Sequence, residues 1–326
     1  MTAAEILAEF PKLSALVVGD ICLDRWCAYD PETSEASRET GIPRVGIVYT
    51  EVTAGAGGTV ANNLAALGVG RISVLSAAGD DGFGYELASA LSRQGIAPDR
   101  LIRAPGMQTF TYTKLINSKT GQEDLPRVDF ISTAPLARQV ERQILGALPG
   151  AVDDFDVILI SDQAETSAGG VITPAVRALF SDLAPNYPDK IFLVDSRARI
   201  GLFRHMIIKP NQEEAESACR RLFGRVDFQT LREHCAARLM IVTDGPKGAL
   251  VVETDRETRV ETKPEANPVD ICGAGDSFSA GAAMALAVTR SPIEAARFGN
   301  LVASITIMKK GTGTASAAEV LQAART

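Results

Sequence analysis

From residue 156 onward the chain keeps one rhythm: a short apolar run, a polar break, then a segment of helical length. Strand patterns at Asp156 to Ser161, Ile191 to Asp195, His205 to Lys209, Leu239 to Thr243 and Ala249 to Glu253 alternate with helical patterns. The helical segments are Val171 to Leu183, 212–222, 228–237, 275–288, 292–308 and 316–325. The order begins earlier, with Ser14 to Asp20 and Arg71 to Ser76 as strands and Gly82 to Gln94 as an amphipathic helix. Such alternation implies a mainly parallel sheet covered by helices on both faces, a three-layer α/β/α arrangement. Ligands of these sheets bind outside the carboxyl ends of the strands. Polar residues collect there: Gly19-Asp20, Ser161-Asp162, Asp195, Lys209-Pro210-Asn211 and Thr243-Asp244-Gly245. One cleft along that edge is the expectation.

Four extended stretches, about 22–29, 44–52, 109–117 and 125–130, do not fit the rhythm. Thr109 to Thr113 alternates strictly, the mark of a sheet with one exposed face. These stretches are expected to form a small β lid over the cleft, from segments at about 22–54 and 107–130, able to exclude water. An exposed lid edge would also let two subunits pair as a homodimer.

The net charge of −7, with no basic stripe, speaks against nucleic acid as a partner. The first ten residues read as a short acidic amphipathic helix rather than a signal peptide. No apolar run approaches the roughly 18 residues needed to span a bilayer, so no membrane partner is expected and a cytoplasmic location is. Five scattered cysteines without a CxxC pair fit reduced thiols. The two histidines, His205 and His234, have no partner at metal-ligand spacing.

The stretch Val269-Asp270-Ile271-Cys272-Gly273-Ala274-Gly275-Asp276-Ser277-Phe278 carries the most chemistry. A helix starting at Gly275 or Asp276 leaves backbone N–H groups unpaired at its first turn. With the helix dipole these favour an anion such as a phosphate. A carboxylate beside an anion site is repulsive unless it takes a proton from a nucleophile attacking that anion. Phosphoryl transfer to a hydroxyl needs both parts together. Asp276 as a helix cap is the plainer reading of those ten residues alone.

Several motifs, in order, resemble the ribokinase-like carbohydrate kinases of the phosphofructokinase B family, from about Val17 to Thr314. They are Gly19-Asp20-x-x-x-Asp24, the glycine-rich Gly55 to Gly58, and Ala78 to Gly84. After these come Lys209-Pro210-Asn211-x-x-Glu214, Val242-Thr243-Asp244-Gly245-x-x-Gly248, Asp270 to Asp276, and Gly311 to Thr314. Gly19-Asp20-x-x-Leu23-Asp24-Arg25 and Glu39-x-x-Ile42-Pro43 look most like the heptose 7-phosphate kinases. In those enzymes the kinase is often fused to a nucleotidyltransferase, into which this sequence does not extend.

The resemblance implies one ribokinase-like kinase domain over 1–326 that uses ATP and Mg²⁺ to phosphorylate a sugar or sugar phosphate. Asp276 would be the base, with the amides of Gly273, Ala274 and Gly275 as anion hole. Asp20, Asp24, Gly55, Gly57, Gly58 and Thr59 would surround the sugar. Thr243, Gly245, Gly248 and Asn300 would line the nucleotide, and Asn211 and Glu214 would hold Mg²⁺ through water. Asp270 and the Gly311 loop resemble the monovalent-cation (K⁺) site of some members. Thr59 stands where the family usually has Asn. Glu165, and the run Asp195-Ser196-Arg197-Ala198-Arg199, stand where heptose 7-phosphate kinases tend to have lysine, leaving Arg197 or Arg199 to supply fixed positive charge. Alternatives are a nucleoside kinase and a ligand-binding protein that kept the fold without catalysis. A P-loop enzyme is excluded, since no GxxxxGK[ST] occurs.

Overall fold

The structure is a computed structural model that describes residues 1–325 apart from 34, 132 and 165–168. Its strands are β1 (Ser14–Gly19), β2 (Ile21–Tyr29), β3 (Ile47–Ala56), β4 (Arg71–Gly79), β5 (Leu101–Ala104), β6 (Thr111–Asn117), β7 (Val157–Asp162), β8 (Ile191–Ser196), β9 (Ile207–Ile208), β10 (Met240–Thr243), β11 (Ala249–Val252) and β12 (Glu257–Val260). Its helices are α1 (Ala3–Glu9), α2 (Gly57–Ala66), α3 (Gly82–Arg93), α4 (Arg138–Asp154), α5 (Pro174–Leu183), α6 (Gln212–Phe223), α7 (Phe228–His234), α8 (Ala274–Thr289), α9 (Pro292–Thr306) and α10 (Ala317–Ala323).

Nine strands form the central sheet in the order β12-β11-β10-β9-β8-β7-β1-β4-β5. From β10 to β5 the pairings are parallel, and β11 and β12 close one edge antiparallel. In the central strands both faces are covered. Ala15 and Val17 of β1 belong to one apolar cluster with residues of α1, α2, α3, α8, α9 and α10, and Leu16 and Val18 to a second with residues of α4, α5, α6 and α7. This is why these strands read as unbroken apolar runs instead of alternating ones.

Three strands, in the order β3-β2-β6, make the separate lid sheet, with β2 antiparallel to β3 and parallel to β6. Asp24 lies opposite Thr53 on one side and Tyr112 on the other. The stretch 125–130 is not a strand. It runs beside β6 through the Val128 amide to Thr113 O (3.0 Å) and a single bridge between Thr111 and Phe130. Periodicity assigned no helix to 138–154 and no strand to 101–104 or 257–260. α4 carries Pro149 and buries only one stripe, and β12 is a polar edge strand.

α8 and α9 pack closely because their facing positions are small. A Cβ on Gly281 would sit 2.8 Å from Val302 Cγ2, and one on Gly299 2.9 Å from the Phe278 ring. The alanine-rich sequence of α8 serves this contact, which fixes the height of the helix above the sheet. We expect Gly281→Leu to destabilise the fold by about 1–3 kcal/mol through overpacking, read as a lowered urea midpoint with unchanged m-value.

Candidate active site

The first turn of α8 lies at the carboxyl edge of the central strands. Gly273, in the left-handed region (φ 79°), is its N-cap, and the helix starts at Ala274, one to two residues earlier than the sequence pattern suggested. The first intrahelical bond runs from Ser277 N to Gly273 O (2.9 Å), and the Ala274 amide turns back to Ile271 O (3.2 Å). The amides of Gly273, Gly275 and Asp276 have no acceptor among the described residues. Of the three amides expected to form an anion hole, that of Ala274 is spent on a turn.

This turn separates two cavities. On one side a space of about 410 Å³ is lined by Thr243, Gly245, Gly248, Ala274, Gly275 and Asn300. Asn300 donates its side-chain amide to Val260 O (3.1 Å), bracing the end of β12 against α9. On the other side a space of about 230 Å³ is lined by Asp24, Thr59, Gly273 and Asp276 together with Lys114 and Arg127 of the lid segments. A larger cavity of about 560 Å³ continues outward, sharing Trp26 and Thr312 with the second.

Asp276 is half-buried at the floor of the second cavity. Burial, reinforced by Asp195 and Asp24, pushes its carboxyl up to about 8, against the pull of Lys209 and Arg197. Beneath it Lys209, 2% exposed, pairs with Asp195 at 2.9 Å. Ser279 donates to the same carboxylate oxygen (3.2 Å). Burial opposes the charge on Lys209, but Asp195, Glu214 and Asp276 hold its pKa above the ordinary lysine value. The Nζ lies 3.7 Å from where a Cβ of Gly275 would be. The motif reading had not singled out Lys209 or Asp195 for a role.

Asn211 and Glu214 form a reciprocal capping box at the start of α6. Asn211 N donates to Glu214 Oε2 (2.8 Å), and Glu214 N to Asn211 Oδ1 (2.9 Å). Burial first and Asp195 second push Glu214 up to about 7. Asp195, Glu214 and Asp276 thus crowd one buried lysine, and a divalent cation near Glu214 fits the negative charge left over. Among the described residues no three His, Cys, Asp or Glu side chains cluster to hold a metal ion. Asp270 spends its two oxygens on the amides of Cys272 (2.9 Å) and Gly311 (3.2 Å), tying the α8 loop to the 309–314 loop.

Asp24 is buried, and burial pushes it up to about 6, with Cys22, Lys114 and Arg127 pulling the other way. A Cβ on Gly55 would fall 2.3 Å from its Oδ1. Gly57 and Gly58 face Asp20 O and Ala54 Cβ in the same crowded way. A side chain at any of the three would press on chain or carboxylate. Thr59 is fully buried, its Oγ1 has no partner among the described residues, and its methyl packs on Gly273. Asp20 does not line the second cavity: its carboxylate accepts the amides of Gln163, Ala164 and Val171.

The cationic side chains also differ from expectation. Arg197 lines the second cavity, but Arg199 is bound to Asp162 through Nη2 and through Nε (3.0 Å). Lys114 and Arg127 had no local signal: the parallel pairing of β2 with β6 brings Lys114 to the cavity, and the stretch beside β6, bonded through Val128 N to Thr113 O, brings Arg127. Glu165 lies outside the described residues.

Residues 14–319 match the pattern described as pfkB family carbohydrate kinase, and the chain belongs to that family. It is 31% identical over 323 residues to the bifunctional protein HldE of Trichlorobacter lovleyi, and 30% identical over 319 residues to that of Pelobacter propionicus. Each match covers 95% of this chain, which spans only 62% and 63% of those relatives. Among solved structures, a Thermotoga maritima ribokinase superposes with TM-score 0.70 at 20% identity, over 96% of this chain and all of the other. Escherichia coli phosphofructokinase-2 in complex with potassium superposes with TM-score 0.69, also at 20% identity, over 96% and 98%. The fold is ribokinase-like. Among the described residues no helix is long and apolar enough to cross a membrane.

Removing the buried cation should be costly. We expect Lys209→Met to lower stability by about 3–5 kcal/mol at pH 7, since it strands Asp195 beside two further carboxylates, measured by chemical denaturation.

Proposed function

We propose that the protein transfers the terminal phosphoryl group of ATP to a hydroxyl of a sugar or, better, a sugar phosphate. The observation that carries this reading is the division of the cleft by the first turn of α8. Ala274 and Gly275 border the nucleotide-side cavity, and Gly273 and Asp276 border the acceptor-side cavity. A phosphoryl group passing between the two would meet the free amides and the helix dipole at the boundary.

Asp276 takes the proton from the attacking hydroxyl, its raised pKa making it a stronger base than an ordinary carboxylate. The Gly273 and Gly275 amides receive the charge spread over the transferred group, with Lys209 beneath them. Asp24 accepts hydrogen bonds from sugar hydroxyls and orients the ring. Lys114, Arg127 and Arg197 favour an acceptor that already bears a phosphate. Asn211 and Glu214 would hold Mg²⁺ through water, and the ion would neutralise phosphate charge. The β2–β3–β6 lid excludes water from the transfer. Thr243, Gly245, Gly248 and Asn300 line the nucleotide. A monovalent cation such as K⁺ belongs near the Asp270–Gly311 junction. A second copy of the chain would pair along β3, where Ile47, Val48 and Tyr49 are 43%, 59% and 64% exposed.

ADP release across free sugars, sugar phosphates and nucleosides tests the class. Turnover of sugar phosphates above free sugars is expected, turnover of nucleosides alone would replace the reading, and silence would favour a binding protein. On the best acceptor, Asp276→Asn should keep ADP affinity and lose about 10²- to 10⁴-fold in kcat. Because the base works deprotonated, wild-type kcat/KM should fall tenfold per pH unit below about 8 and level off above it. Near-normal turnover of the Asn variant would remove Asp276 as base.

A further inference from the structure

The acceptor-side cavity of about 230 Å³ is small for a ligand pocket, which commonly holds about 300–1,000 Å³. It shares Trp26 and Thr312 with an outer space of about 560 Å³ that no step of the phosphoryl transfer uses. One face of the lid bounds both. Every second residue of a strand points to the same side, so Asp24, Trp26 and Ala28 of β2 share that face. Trp26 stands between Glu51 of β3 and Lys114 of β6, and Ala28 between Tyr49 and Ile116. Along the strand, Trp26 and Ala28 lie about 7 and 14 Å beyond Asp24.

Trp26 is thus a wall common to both cavities. Gly311 lies against it: a Cβ there would fall 3.1 Å from Trp26 Cζ2, and its φ of 74° suits glycine. Among the described residues neither the indole N–H nor the Glu51 carboxylate has a bonding partner. Asn62 spends its Nδ2 on Thr53 Oγ1 (3.1 Å) and Ala54 O (2.9 Å). Its buried Oδ1 and the buried Oγ1 of Thr312 are unpaired among the described residues. Such atoms are few in a folded chain, and both residues line the outer cavity.

Charge separates the two cavities. Lys114, Arg127 and Arg197 line the inner one. In the outer one Lys309 is bound to Glu319 (2.6 Å) and to Thr314 O (2.5 Å), and Lys310 reaches Gly121 O (3.4 Å). Glu51 adds a negative charge there. An aromatic wall beside carboxylate, amide and hydroxyl groups, without surplus cations, suits an uncharged polyol. Its hydroxyls would donate to Glu51, and its C–H groups would lie on the electron-rich face of the indole.

We propose that the outer cavity is a second sugar subsite, so that the acceptor is a glycoside. One ring reaches Asp276, with any phosphate on it, and a further uncharged ring rests on Trp26 beside Glu51. Calling the inner cavity the reacting end rests on the kinase reading.

Two variants at the outer cavity, neither in the catalytic machinery, test this. Ala28→Phe fills the space, and Glu51→Ala removes an exposed carboxylate. ADP release is measured for glucose and glucose 6-phosphate against maltose, cellobiose, trehalose, sucrose and trehalose 6-phosphate. At least one two-ring acceptor should show kcat/KM about tenfold or more above its one-ring counterpart. Both variants should abolish that advantage and leave one-ring turnover unchanged. Trp26, the only tryptophan, gives a second readout without nucleotide. The same two-ring sugar should shift its fluorescence saturably, and bind about tenfold more weakly to Glu51→Ala. One-ring sugars turning over as well as every two-ring one would overturn the subsite, as would variants that slow both classes equally. A dimer seen by sedimentation that either variant splits would give the cavity to a second copy instead. If nothing turns over, the kinase reading fails and the fluorescence titration decides alone. No saturable response to any two-ring sugar would then overturn the subsite.

Discussion

One buried lysine set among three carboxylates is the condition on which the rest of the site depends. Lys209 bonds Asp195, and Glu214 and Asp276 are near enough to hold its charge in place. A single cation cannot balance three anions in a buried setting. Burial first, and the neighbouring carboxylates second, raise Glu214 to about 7 and Asp276 to about 8.

The fold delivers these groups to one edge by different routes. Asp195 ends β8, Lys209 follows β9 and Glu214 opens α6, all at the carboxyl side of parallel strands. Asp276 comes from the opposite layer, on α8, whose height is set by small residues packed on α9. The lid adds Asp24 and Lys114 from a separate sheet, whose β2 follows β1 after Asp20 and whose β3 runs directly into α2. Neither layer holds the site alone.

Much of this was legible in the sequence. Central strands covered on both faces read as apolar runs, and the polar residues that end them converge as their positions imply. The amide-rich start of α8 followed from Gly273 to Asp276, although its cap lies earlier than the pattern placed it. Other features depend on pairing between distant segments, which no local spacing records. Lys114 reaches the second cavity only because β6 lies beside β2, some ninety residues apart in the chain. Asp20 and Asp24 look equivalent in a motif, yet one faces the cavity and the other faces backbone amides. Asn211 and Glu214 serve both as motif and as capping box, so the helix start and the metal reading use the same atoms. α4 escaped notice because its apolar stripe is narrow and interrupted by Pro149.

A crystal structure of the full chain with a non-hydrolysable ATP analogue tests the central claim most directly. The account predicts the terminal phosphate at about 3 Å from the Gly273 or Gly275 amide nitrogens, with the Asp276 carboxylate on the far side, facing the acceptor cavity. A terminal phosphate bound away from the first turn of α8, or an Asp276 turned toward the nucleotide, would contradict it.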